Sequence, residues 1–329
     1  MKSKREYSFD VMRTIAMILV IIIHVTNVYC RSYGSISDSS FAISLFFDTL
    51  ARISVPLFFM ISGALLLDRK FDKKKYIKRL LRFILVIIVW DIIYLLWEYY
   101  YLNIKYDKLY LLFFNPYRKH LWFLYSILEL YFLQPIIKII LDKSNKKIKT
   151  TLLFIWIIFS TLSLFNSTIA SFFTIFNYIG YFVVGKYLYD YIKKVNLSKY
   201  NKVFIVMIAV SIILSTCLNY YASLRFNTFY NNFFAYRTPF IIVSSLATFI
   251  LLYNCYHNKK PNKFFLALSD LSFGVYLVHG IFLDISKNIV DYKAVNPLIG
   301  IPAFTVFILI CSLIVCYLIK KIKFINNIM

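Results

Sequence analysis

An arginine and a histidine stand eleven positions apart in the first apolar stretch of this 329-residue chain. Arg13 and His24 bracket Thr-Ile-Ala-Met-Ile-Leu-Val-Ile-Ile-Ile, ten residues without a charge. Eleven helical positions are about three turns, so the two side chains share one face roughly 16 Å apart along the axis. Charged and imidazole groups inside an apolar span are costly and therefore point to function. A guanidinium suits a polyanionic phosphate, which it can grip bidentately. A neutral imidazole can accept a proton from a hydroxyl, the step that makes the oxygen nucleophilic. The plainer alternative is an interfacial anchor arginine and a histidine hydrogen-bonded to a neighbouring helix.

Further residues extend this chemistry. Arg79 and Arg82, three apart after the run Lys73-Lys-Lys75, lie on neighbouring parts of one helical face, a second place for phosphates or simply for lipid headgroups. Ser62-Gly63 marks a close backbone approach, and Pro56 predicts a kink in the same span. His120 is followed by Trp122 and Tyr125, an aromatic wall for a sugar ring or an interfacial belt. Ser272, Tyr276 and His279 fall at positions 0, 4 and 7 of one helix face. Asp48 and Arg52 are an i, i+4 pair that neutralise each other. Asp91, Glu98 and Glu129 are intramembrane acids, of the kind that pair or line polar cavities.

The elements that carry these residues are membrane helices. Hydrophobic residues make up 60% of the chain and aromatic residues 20%, and the mean hydropathy is +0.69. A soluble domain is excluded by that composition. The expected spans are 11–30, 41–67, 80–102, 121–141, 152–165, 169–189, 203–221, 236–256, 264–285 and 298–319. The chain reads as one all-α polytopic membrane domain, 1–329, a bundle of about ten transmembrane helices. No small-residue cleavage site follows the first span, so no signal peptide is expected. With the N-terminus inside, 28 of the 38 Lys and Arg residues fall on the cytoplasmic side. Both termini are therefore expected in the cytoplasm, in a cell (inner or plasma) membrane. The net charge of +23 is a topology signal and an attraction to membrane lipids, and needs no nucleic-acid partner. The five cysteines are scattered, with no zinc-like spacing, so neither a metal nor a disulfide framework is expected.

Taken in order, five motifs resemble the acyltransferase 3 family of integral-membrane acyltransferases. They are Asp10-Val-Met-Arg13 with its Arg-x10-His24 spacing, Ser54-Val-Pro-Leu-Phe-Phe-Met-Ile-Ser-Gly63, Arg79-x-x-Arg82, His120-Leu-Trp-Phe-Leu124, and Ser272-Phe-Gly-Val-Tyr-Leu-Val-His279. The likeness is greatest to the small single-domain branch that O-acetylates surface polysaccharides, the enterobacterial common antigen O-acetyltransferases among them. It implies acetyl-CoA or another acyl-CoA as donor substrate, no bound cofactor, and a surface glycan or its lipid-linked precursor as acceptor. Polysaccharide-assembly proteins are implied as partners. Many larger relatives append an extracytoplasmic SGNH-type domain. No Gly-Asp-Ser element occurs here, so the membrane domain is expected to finish the transfer or to pass it to a partner.

On this resemblance His24 is the catalytic base or acyl-accepting nucleophile, and Arg13 holds the donor's phosphates. Arg79, Arg82 and Ser62 add to acyl-CoA binding, while His120, Trp122, Tyr125, Glu129 and His279 serve as acceptor contacts or a second acid/base. The rival classes are a transporter or flippase of a glycan or lipid-linked intermediate, and a glycan polymerase. The first would bring paired broken helices in internal repeats, and the second a long arginine-bearing external loop. Neither pattern is present in the sequence. The orientation is open to a direct check. In a cysteine-free background, Lys75→Cys should react with a membrane-impermeant maleimide only after cells are opened, and labelling in intact cells would reverse the topology.

Overall fold

The computed structural model describes residues 5–104, 116–162, 164 and 174–321. Eleven α-helices occupy these residues, and no strand occurs among them. In chain order they are α1 (Tyr7–Cys30), α2 (Asp38–Ala51), α3 (Ser54–Leu66), α4 (Lys73–Tyr100), α5 (Trp122–Lys143) and α6 (Lys146–Leu162). Then follow α7 (Thr174–Ile192), α8 (Asn201–Phe226), α9 (Pro239–Tyr256), α10 (Lys263–Ile289) and α11 (Pro297–Lys321). Counting α2 and α3 as one, eight helices are long and apolar enough to cross a membrane. The protein is thus an all-α polytopic membrane protein. The expected fifth and sixth spans coincide in part with α6 and α7. Apart from Leu164, residues 163–173, where those two spans were expected to end and begin, lie outside the described residues.

Local chemistry sets the helix ends. The Ser37 hydroxyl accepts from Ser40 N–H at the start of α2, and the Asp72 carboxylate from Lys75 N–H at the start of α4. Thr238 caps α9, with Pro239 in the first turn where its missing N–H costs nothing. Asn227, at φ 49°, closes α8 in the left-handed conformation.

The span expected to kink at Pro56 is instead broken, because α2 ends at Ala51 and α3 begins at Ser54. Proline has no N–H to give the Arg52 carbonyl, and its ring crowds the carbonyl four residues back. The break leaves Arg52 at a joint in the span.

Helix α1 is the centre of the bundle, packed by α2, α3, α9, α10 and α11. Its apolar residues join two cores, one with α3 and α5 through Phe9, Met12 and Ala16, the other with α4 and α10 through Met17, Val20 and Ile21. The outward faces are apolar too. Leu81, Leu85, Ile88, Ile92 and Leu96 form an exposed stripe along α4 at spacings of three and four, as a lipid-facing surface requires.

Helices α3 and α7 meet at glycines. A Cβ on Gly63 would overlap the Phe182 carbonyl, and one on Gly185 would overlap the Met60 backbone. Small residues of this kind let membrane helices approach backbone to backbone. Gly185→Val should therefore force α3 and α7 apart at a cost of about 1–3 kcal/mol. Its thermal unfolding in detergent should fall several degrees below wild type, while Val206→Ala on the exposed face should leave the midpoint in place. Equal midpoints for Gly185→Val and wild type would refute the contact.

Candidate active site

Three histidines from three distant stretches meet in the bundle. His24 comes from α1, His120 from a 3-10 turn, Lys119–Leu121, that leads into α5, and His279 from α10. The ring centroids are 5.0 Å apart for His24–His279, 5.0 Å for His120–His279 and 5.9 Å for His24–His120. His279 Nδ1 lies 2.6 Å from the Tyr276 carbonyl, which can only accept, so Nδ1 carries the proton and the neutral ring keeps its lone pair on Nε2. The Nε2 atoms of His279 and His120 are buried without a hydrogen-bond partner among the described residues.

Backbone contacts fix the triangle. Tyr276 donates its hydroxyl to the His120 carbonyl at 2.6 Å, tying α10 to the start of α5. Tyr94 of α4 donates to the Leu277 carbonyl at 2.7 Å, and its ring stands edge-on to His120 at 4.8 Å. Gly280 makes room for both, because a Cβ there would lie 2.7 Å from the Tyr94 hydroxyl and 2.8 Å from His120 Cε1.

His24 and His120 line a cavity of about 320 Å³. Its wall also carries Trp122, Tyr178, Tyr236 and Tyr276 and the cations Arg31, Arg52 and Lys119, with Val20, Ile23, Val55 and Asn27 between them. Trp122 sits 5.3 Å from the Tyr178 ring and 5.8 Å from that of Tyr236. Arg52 reaches the cavity from the break between α2 and α3, held by two bonds to Asp48 at 2.9 and 3.1 Å and lying 4.3 Å over Phe234. His279 is fully buried behind this wall, against His24 and His120. No group of three or more His, Cys, Asp or Glu among the described residues is placed to hold a metal ion, the histidines included.

A second cluster forms at the opposite end of α1. Asp10 is fully buried and accepts from Arg5 at 2.7 and 2.8 Å and from Ser269 at 2.8 Å, with Arg13 at 3.5 Å. The Arg79 guanidinium stands 5.7 Å over the Tyr131 ring of α5, which also lies within the field of Arg13 and takes part in a hydrogen bond with Ser62. Arg79 also donates to Gln134 at 3.0 Å, whose amide donates to the Leu66 carbonyl at 3.2 Å. Arg82 is more exposed, one turn further along α4.

Two of the predicted acceptor residues lie elsewhere. Tyr125 donates to Asp91 at 2.6 Å, a carboxylate that also receives the Tyr117 N–H at 3.2 Å, so it braces α5 against α4. Glu129 is exposed and does not line the cavity. What the sequence did not reveal is the clamp around Arg118. Its guanidinium bonds Glu98 of α4 at 2.7 Å and Asp284 of α10 as well, two residues from His120. Trp97 donates to Asp284 at 3.3 Å, and Lys287 lies 3.8 Å from it. The intramembrane acids were the one signal of this clamp.

Helices that span a membrane, basic groups at one end and a histidine-floored cavity toward the other define a membrane enzyme of group transfer. The model of the acyltransferase 3 family, an acyltransferase domain, matches residues 6–321, and the chain belongs to that family. Searches of curated proteins and of solved structures each returned no match.

Removing the clamp should be costly. Arg118→Met takes the shared guanidinium from two buried carboxylates and should lower stability by about 3–5 kcal/mol, read by thermal unfolding of the purified protein. Arg118→Met combined with Glu98→Gln and Asp284→Asn should recover much of that loss. A single variant as stable as wild type would show that the clamp carries no weight.

Proposed function

We propose that this acyltransferase moves an acetyl group from cytoplasmic acetyl-CoA to a sugar hydroxyl of a surface polysaccharide or its lipid-linked precursor. It would sit in the inner or plasma membrane with both termini cytoplasmic, as the single-domain surface-polysaccharide O-acetyltransferases it resembles. The observation that supports this most is the placement of His24 and His120 on the wall of an aromatic, cationic cavity. Aromatic faces suit the C–H surfaces of a sugar, and a histidine at hydrogen-bonding depth suits its hydroxyl.

The donor belongs at the other end of α1. Arg13 and Arg79, with Tyr131 in the field of both, would hold the phosphates of CoA, with Arg82 and Ser62 beside them. The pantetheine arm then runs along α1 over the roughly 16 Å between Arg13 and His24. His24 takes the proton of the acceptor hydroxyl as its oxygen attacks the thioester carbonyl. A tetrahedral oxyanion forms, for which Arg52 is a fixed cation on the same wall. Collapse breaks the C–S bond, and the imidazolium returns its proton to the departing CoA sulfur. His120 shares the cavity as a second proton carrier or acceptor contact. His279 positions both rings from behind.

The test is acetyl transfer in membranes, followed as CoA thiol release and as O-acetyl groups on the glycan. His24→Ala should lose about 10²–10⁴-fold in rate while inserting normally. Arg13→Ala should raise the KM for acetyl-CoA, and Arg13→Lys should restore only part, since an ammonium cannot form the bidentate phosphate contact. Wild-type turnover in a well-inserted His24→Ala protein would overturn the mechanism. Glycans with unchanged acetylation in a deletion strain would overturn the acceptor.

A further inference from the structure

Beside the histidine cavity lies a second one of about 270 Å³, lined by Asn231, Asn232, Phe234, Ala235 and Arg237. The two cavities share Arg52, Tyr178 and Tyr236 as a common wall. Their combined lining carries four cations, Arg31, Arg52, Lys119 and Arg237, and no carboxylate.

Two other cations at this end of the bundle have acidic partners: Arg118 is clamped by Glu98 and Asp284, and Lys287 faces Asp284. On the cavity walls only Arg52 has an acidic partner, Asp48, which lies behind it. Arg31, exposed at the mouth of the cavity, turns its Nε to the Asn27 side-chain oxygen at 2.6 Å and has no carboxylate partner among the described residues. Arg237 is half-buried, and its Nε is buried with no hydrogen-bond partner among the described residues. A buried guanidinium donor without an acceptor is costly unless a ligand supplies one. Basic residues are also disfavoured on the outer side of a membrane protein, so those that line an outer cavity call for a reason beyond topology.

We infer that the acceptor is an anionic glycan, and that Arg237, with Arg52 on the shared wall, holds its carboxylate or phosphate beside the histidines. This rests on the acyl-transfer reading only for the word acceptor. The amides of Asn231 and Asn232 supply neutral hydrogen bonds around the same anion, and Trp122, Tyr178 and Tyr236 pack the sugar that bears it. A carboxylate would come from a uronic acid unit, and a phosphate from an isoprenyl diphosphate carrier.

Binding can be measured without turnover, which separates this inference from the acyl-transfer reading. The full chain in phosphatidylcholine nanodiscs is titrated calorimetrically with two matched pairs. One pair is hyaluronan tetrasaccharide and its carboxyl-reduced form, the other isoprenyl-diphosphate N-acetylglucosamine and the corresponding neutral alkyl glycoside. At least one charged probe should bind about tenfold or more tightly than its neutral counterpart, the worth of one charge-assisted contact. The pair that discriminates identifies the source of the anion. Arg237→Gln should remove most of the preference and Arg237→Lys should keep part of it, while Arg225→Gln, at the end of α8 and off both cavity walls, should keep it whole. Equal binding within both pairs, or a preference that survives Arg237→Gln, would overturn the inference. Displacement by phosphatidylglycerol, with no effect of either sugar pair, would assign the pocket to a lipid headgroup and overturn it as well.

Discussion

Charge inside an apolar bundle has to be answered by charge, and the architecture is organised around the places where that happens. Asp10 gathers Arg5 and Arg13 at one end of α1. Arg118 joins α4 to α10 through Glu98 and Asp284, and Asp48 steadies Arg52 at the joint between α2 and α3. The Arg118 pairs draw together helices that apolar packing alone would leave free to slide, because lipid offers no hydrophobic force to hold one helix on another, while the Asp10–Arg13 and Asp48–Arg52 pairs neutralise charge locally on α1 and at the end of α2. Pairing also concentrates function. Four cations, Arg31, Arg52, Lys119 and Arg237, stand on cavity walls, where a ligand can meet them.

One helix carries both ends of the proposed reaction. Arg13 and His24 belong to α1, and the same rigid rod that sets their separation is gripped by five neighbours. The proposed donor and acceptor ends are thus held in register by covalent geometry. The histidine end is braced by contacts to backbone, the Tyr276 hydroxyl on the His120 carbonyl and the Tyr94 hydroxyl on that of Leu277. Such bonds fix ring positions while leaving Nε2 of both His120 and His279 without a hydrogen-bond partner among the described residues.

Much of this was legible from one-dimensional pattern. Long apolar runs gave the helices, and the eleven-residue spacing of Arg13 and His24 placed them on one rod. Periodicity also put Tyr276 and His279 on a common face. Contacts between distant segments were beyond its reach. Arg118 lies 166 residues from Asp284, and nothing in the local sequence of either names the other. Tyr125 stands three residues from Trp122 on α5, yet it turns to Asp91 while Trp122 faces the cavity, because the rotation of α5 is set by its partners. Pro56 signalled a disturbance in its span, but whether a proline bends a helix or breaks it depends on how neighbours receive the freed groups.

The break in the second span has a consequence for fidelity. Pro56 gives no N–H to the Arg52 carbonyl, so a polar backbone group is set at a joint whose side chain lines the cavity. A polar space of this volume is wet. In the proposed reaction, water beside His24 is itself a hydroxyl, and an acyl group delivered there before the acceptor would be hydrolysed and lost. The aromatic side chains of Trp122, Tyr178 and Tyr236 would then have a second office: an acceptor sugar seated against them displaces the solvent, and the order in which the proposed acceptor and donor bind decides how much thioester is wasted.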